Sequence, residues 1–215
     1  MKKFAQGISF YKLLWIFIIG SVIGAWYEEI LIFVISGSYQ RRSALVIGPF
    51  STLYGYAYVL AILLLNKVKR WNLLILYGAL IGGTVEYLAS FLQETITGTR
   101  SWDYSNLFLN IDGRTTIPFA LFWGILIYLM VSKVYPWLSH KIERVPLKWG
   151  KPISLLMTIF LALNIFVSTT MMIRRSQRIN NQEPQTLLGE FYDFYFTDER
   201  ILQLYPNLEF LKSTK

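Results

Sequence analysis

Cysteine is absent from the 215 residues, and histidine occurs once, as His140. The first absence excludes disulfides, thiol nucleophiles and cysteine metal ligands. The second rules out a multi-histidine metal centre, and neither a metal nor a cofactor is expected. A serine–histidine–acid triad would rest on His140 alone. No Gly-xxxx-Gly-Lys-Ser/Thr phosphate loop and no His-Glu-xx-His motif occurs. Charged residues are scarce, at 16%. That scarcity argues against a soluble domain of this length.

Apolar residues fill the space instead. The chain is 54% hydrophobic and 17% aromatic, with mean hydropathy +0.41. Five apolar segments each approach the roughly 20 residues needed to cross hydrocarbon. They run Leu13–Ser36, Pro49–Leu65, Leu73–Leu92, Ile117–Leu138 and Ile153–Ile173. The expected fold is all-α, a polytopic membrane protein with about five transmembrane helices. Gly48-Pro49 is expected to open the second helix, because proline suits a first helical position. The net charge of +8 lies largely beside the apolar spans. It reads as topology-setting charge and attraction to membrane lipids, not as a nucleic-acid surface.

The flanking charges favour a cytoplasmic N-terminus. Lys2, Lys3, Lys12, Lys67, Lys69, Arg70, Lys141, Arg144, Lys148 and Lys151 then lie inside. Arg41, Arg42, Arg100 and Arg114 lie outside. Arg174, Arg175 and Arg178 also fall outside after five crossings, against the rule. Either the tail is external, or one segment is re-entrant and the tail returns inside.

Two stretches resemble each other. Gly20-xxx-Gly24-xxx-Glu28 reappears as Gly78-xxx-Gly82-xxx-Glu86, displaced by 58 positions. At the same offset Lys12 falls on Arg70, Arg42-Ser43 on Arg100-Ser101, Phe50 on Phe108 and Gly55 on Gly113. This pattern implies a parallel two-helix duplication with units of about 12–65 and 70–123. The extra helix 153–173 completes a transmembrane domain over 1–173, and 174–215 forms an amphipathic polar tail. Residues four apart share a helix face. Gly20, Gly24, Gly78 and Gly82 therefore let neighbouring backbones approach, and Glu28 and Glu86 continue those faces inward. Both acids lie 16 residues past a basic residue, or about 24 Å along the helix. They are expected to meet at similar depth across a polar cleft. A charge there costs about 3 kcal/mol on insertion scales, so it must pair, protonate or face water.

The second long connection, "QETITGTRSWDYSNLFLNIDGRTTIP", concentrates Glu94, Arg100, Asp103, Asp112 and Arg114 among Trp102, Tyr104 and Asn110. Arg100 and Arg114 offer forked donors for a phosphate or carboxylate. Glu94 and Asp103 equally suit neutralising them, leaving a closed structural network. Arg42 stands in the first connection, where the Tyr54 hydroxyl also needs a polar partner.

Several of these stretches resemble the bacterial family labelled putative ABC-transporter type IV, the CmpB-like membrane proteins. They are "GSVIGAWYEE", "RSALVIGPFSTLYG", "GTVEYLASFLQE", "RSWDYSNLFLNIDGR", "FWG" and the tail's "DFYFTDERILQLYPN". The chain departs from the family pattern at Ala44, Ile47, Thr52 and Thr197. The resemblance implies a multi-pass bacterial plasma-membrane protein of permease type. It supports Glu28, Arg42, Glu86, Glu94, Arg100, Trp102, Asp103, Tyr104, Ser105, Gly113 and Arg114 as motif positions.

In the tail, Leu188, Phe191, Phe194 and Tyr195 have helical apolar spacing. Thr197 is placed to cap a short helix from Asp198, ending near Pro206-Asn207. The pair is expected to pack on the membrane domain or lie at its interface, with a docking surface for another subunit as the alternative.

Three functions compete. A transport-associated protein would hold an anionic small molecule or lipid headgroup at the Glu/Arg site. Any ATPase would then be a separate subunit. A non-transporting scaffold is the alternative. An enzyme is the least favoured: Glu28-Glu29 is similar to the paired glutamates of intramembrane CAAX-type proteases, but the arginine and histidines of that site are missing. No sequence feature specifies a homo-oligomer.

Overall fold

The computed structural model describes residues 4–210; Lys2 and Lys3 of the charge argument and the last five tail residues lie outside it. The chain is an all-α polytopic membrane fold. Helix α1 spans Phe10–Ser36, α2 Thr52–Leu65 and α3 Trp71–Thr97. A short strand β1 (Thr99–Arg100) and the ribbon β2 (Asn110–Ile111) and β3 (Thr115–Thr116) follow. Helix α4 (Ile117–Leu129) continues through a π-helical turn at Met130–Val134 into α5 (Tyr135–Glu143). Then come α6 (Leu147–Ile179), α7 (Leu187–Tyr195), α8 (Asp198–Leu204) and strand β4 (Glu209–Phe210).

Four of these are long and apolar enough to cross a membrane: α1, α3, the continuous Ile117–Glu143 helix and α6. The second expected span is different. Its helix has 14 residues and begins at Thr52, not Pro49. Gly48-Pro49 lies in the connection before it, with Gly48 at φ +80°, a conformation that favours glycine.

That connection descends into the bundle. The Ser51 amide donates to the Ser21 carbonyl, part-way along α1. Irregular backbone at membrane depth is tolerated only where protein satisfies its polar groups, and here four side chains do so. Asn164 and Ser168, on the middle turns of α6, accept from the Ile47 and Val46 amides at 3.2 and 2.9 Å. The Asn164 amide also donates to the Ile47 carbonyl at 2.7 Å. Arg41 donates to the carbonyls of Leu45, Val46 and Gly48. The buried Ser43 hydroxyl accepts from the Phe50 amide and donates to Leu45 and Gly48. The second apolar segment is therefore irregular backbone packed into the bundle followed by a short helix.

Small residues bring α1 onto α2 and α3 onto α4. Gly20 faces Gly55 and Tyr58, and Gly24 faces the Tyr54 ring. Gly78 faces Gly124 and Ile127, and Gly82 faces the Trp123 ring. Gly55 in turn meets Phe17 and Ser21, whereas Gly124 meets Ile75 and Ala79. These contacts recur 58 positions apart on the first helices and 69 apart on the second, so Gly124, not the expected Gly113, packs as Gly55 does. Gly113 lies in a turn at φ +66° against Asp103 and Ser105. Of the eleven extra residues, three extend α3, four lengthen the connection that carries the β2–β3 ribbon and four extend the start of α4.

At the end nearest the N-terminus, Lys12 is buried. It donates to Ser139 at 2.6 Å and pairs with Glu143, tying α1 to α5. At the other end α6 continues helical to Ile179, past the expected limit at Ile173. Arg174, Arg175 and Arg178 are consequently helix residues. Arg174 and Arg178 pair with Asp193, and Arg175 and Arg178 with Asp198. Thr197 caps α8, as its position predicts. Strand β4 pairs antiparallel with β1, Arg41 donates to the Leu204 carbonyl, and Asn207 donates to the Ser101 carbonyl. The tail therefore packs at the end of the bundle opposite the N-terminus.

Candidate functional site

Helix α3 sets one wall. Its Gly78, Gly82 and Glu86 share a face turned to α4, so Glu86 points inward and is 5% exposed. Its carboxylate accepts from Thr115 Oγ1 at 2.6 Å and from the Tyr104 hydroxyl at 3.4 Å. The Trp123 indole is a further donor. The longer connection supplies Tyr104 and Thr115, and α4 supplies Trp123. Burial, and then the carboxylates of Glu86 and Glu28, push the Tyr104 hydroxyl above its ordinary value, so it remains a donor.

Helix α1 sets the opposite wall. Glu28 is partly buried and bonds the Tyr54 hydroxyl. Tyr54 and Trp123, each seated on the second glycine of the helix it packs against, meet at 4.8 Å between ring centroids. Each ring carries the donor that reaches the glutamate of its own pair. Glu28 and Glu86 lie within electrostatic reach of each other, and Arg42 lies within reach of Glu28 and Tyr104. Arg42 donates to Gln40 at 3.3 Å, but its Nε is buried with no hydrogen-bond partner among the described residues. The Arg42 backbone amide donates to the buried Glu29 at 3.2 Å.

The remaining expected residues gather in a second cluster. Glu94 accepts from Arg100 at 2.7 Å and from Arg114 at 2.7 Å. Arg114 also donates to Ser90 and lies over the Phe91 ring. Arg100 reaches Asp103 at 4.0 Å. Asp103 accepts the Ser105 hydroxyl and amide, which, with the Arg100 charge, hold its carboxyl below the ordinary range. Trp102 donates to the Arg114 carbonyl. Asn110 donates to the carbonyls of Ser105 and Leu107 and accepts from Gly113. Each of these side chains has a protein partner, and the arginine pair closes on Glu94.

Sequence reasoning left out Thr115, Trp123, Asn164 and Ser168, and weighed Glu29 only in a protease comparison. A polar residue inside an apolar span, as Asn164 is, was an available signal. Thr115 and Trp123 carry none until the second helices are matched.

A family model described as "Putative ABC-transporter type IV" matches residues 15–169. The chain belongs to this family. No curated protein and no solved structure matches it. The matched region contains α1 from residue 15 onward, α2 to α5 and most of α6. The tail stretch "DFYFTDERILQLYPN" lies beyond it.

Proposed function

We propose that the chain is the membrane-spanning subunit of a bacterial plasma-membrane transport system of permease type, acting with a separate ATPase. Its ligand site lies between two duplicated helix pairs, α1–α2 and α3–α4. The observation that carries the site is the unequal state of its two carboxylates. Glu86 is enclosed by three donors, whereas Glu28 has Tyr54 and an incompletely bonded Arg42 beside it. Glu28 and Arg42 are assigned to contact the ligand, and Glu86 to position the wall. Arg100 and Arg114 hold Glu94, so Arg42 takes the anion-binding role expected of them. The ligand presents an anionic group to Arg42 and a hydrogen-bond donor to Glu28, as a small polar molecule or a lipid headgroup does.

The N-terminus is assigned to the cytoplasm. Lys67, Lys69, Arg70, Lys141, Arg144, Lys148 and Lys151 are all exposed at its end. The basic residues at the other end are mostly bound by acids or carbonyls. The free positive charge therefore favours that face as the inner one.

Purification in mild detergent followed by native mass spectrometry tests the reading. The wild-type protein is expected to carry an ATPase subunit and a small polar or lipid ligand. Arg42→Gln and Glu28→Gln are expected to lose at least about tenfold of that ligand, and Glu190→Gln to keep it. Equal retention in Arg42→Gln would refute the assignment.

A further inference from the structure

Helix α7 has two distinct faces. Tyr192 is buried against α6, its hydroxyl 2.7 Å from Thr170 Oγ1, and Gly189 is buried beneath Pro184. Leu187, Leu188, Phe191, Phe194 and Tyr195 point away and are exposed, Leu187 by 83% and Phe194 by 76%. At 3.6 residues per turn these five cover an arc of about 120°, distinct from the buried side that holds Gly189 and Tyr192. Glu190 lies at the edge of that arc and is also exposed.

The place of this helix says what covers the stripe. Asp193 binds Arg174 and Arg178, and Tyr192 packs with Met171 and Met172. Helix α7 is thus fastened beside the turns where α6 passes from apolar to basic sequence, the level at which a crossing helix leaves hydrocarbon. Phe108, in the connection at the same end of the bundle, is exposed by 78%. Aromatic-rich apolar stripes suit the headgroup–acyl boundary.

We infer that α7 is an interfacial anchor. Its Leu187–Tyr195 stripe lies in the lipid of the same membrane that the other helices cross, so its partner is a lipid surface. The inference is independent of the ligand assigned to Glu28 and Arg42.

The chain lacks cysteine, so single-site spin labels are unambiguous. Leu187→Cys, Phe194→Cys and Glu190→Cys are labelled in the full chain in phosphatidylethanolamine–phosphatidylglycerol nanodiscs. Collision rates are measured with oxygen, which concentrates in lipid, and with a water-soluble nickel chelate. Labels at 187 and 194 are expected to collide several-fold more with oxygen than with the chelate, and the label at 190 the reverse. Chelate access at 187 and 194 equal to that at 190 would place the stripe in water. Frozen label motion with both reagents excluded would place a protein there, a second copy or another subunit. Either result overturns the inference.

Discussion

Glu86 and Glu28 occupy matching positions on two helices, yet their side chains are held differently. Three donors converge on Glu86, so removing it strands the Thr115 and Tyr104 hydroxyls in a buried place. Glu86→Ala is expected to lower stability by about 1–3 kcal/mol, read from unfolding in mixed detergent micelles. Glu28→Gln keeps an acceptor for Tyr54 and is expected to change stability by less than about 1 kcal/mol. The glycines act through space. A Cβ on Gly82 would run into the Trp123 ring. Gly82→Val is therefore expected to cost about 1–3 kcal/mol as overpacking, in the same assay. The glycine and glutamate spacing on α1 and α3 was legible because it lies within single helices. The donors that distinguish the two acids were not, because Tyr104 and Thr115 reach Glu86 only through the shape of the long connection.

At the scale of elements, the half-length of α2 and the loop before it belong together. Asn164 and Ser168 complete the hydrogen bonding of Val46 and Ile47. Asn164→Leu would leave the Ile47 amide and carbonyl unsatisfied at depth. A loss of about 1–3 kcal/mol is expected, with faster amide exchange at residues 43–51 than in α3. The apolar run Pro49–Leu65 hid this break, since periodicity does not tell a buried loop from a buried helix turn. The tail has its own lever. The Arg174 and Arg178 guanidiniums hold the Asp193 carboxyl below the ordinary carboxylate range. A depressed folded value stabilises above the unfolded pKa and is lost as pH falls through the folded value. The tail clamp is therefore expected to be intact at neutral pH and to loosen only in strong acid, below about pH 4. Protease access near Asn181, followed against pH, checks this. Asp193→Asn is expected to show looser packing already at neutral pH.

At the scale of the molecule, two helix pairs and one long helix make the bundle, and the tail straps together the two connections at the end opposite the N-terminus. The first-helix offset of 58 was legible as sequence; the second-helix offset of 69 became visible only through which glycine meets which ring. Tyr104 and Thr115 from the longer connection close on Glu86, and the proposed site leaves Glu28 to the ligand. This proposed difference is the central claim. A lipid-soluble carbodiimide, which modifies carboxyl groups within the bilayer, tests it directly when the modified peptides are quantified by mass spectrometry. Modification of Glu28 with Glu86 spared is the expected result. Modification of Glu86 ahead of Glu28, or no reaction at Glu28, would contradict the claim.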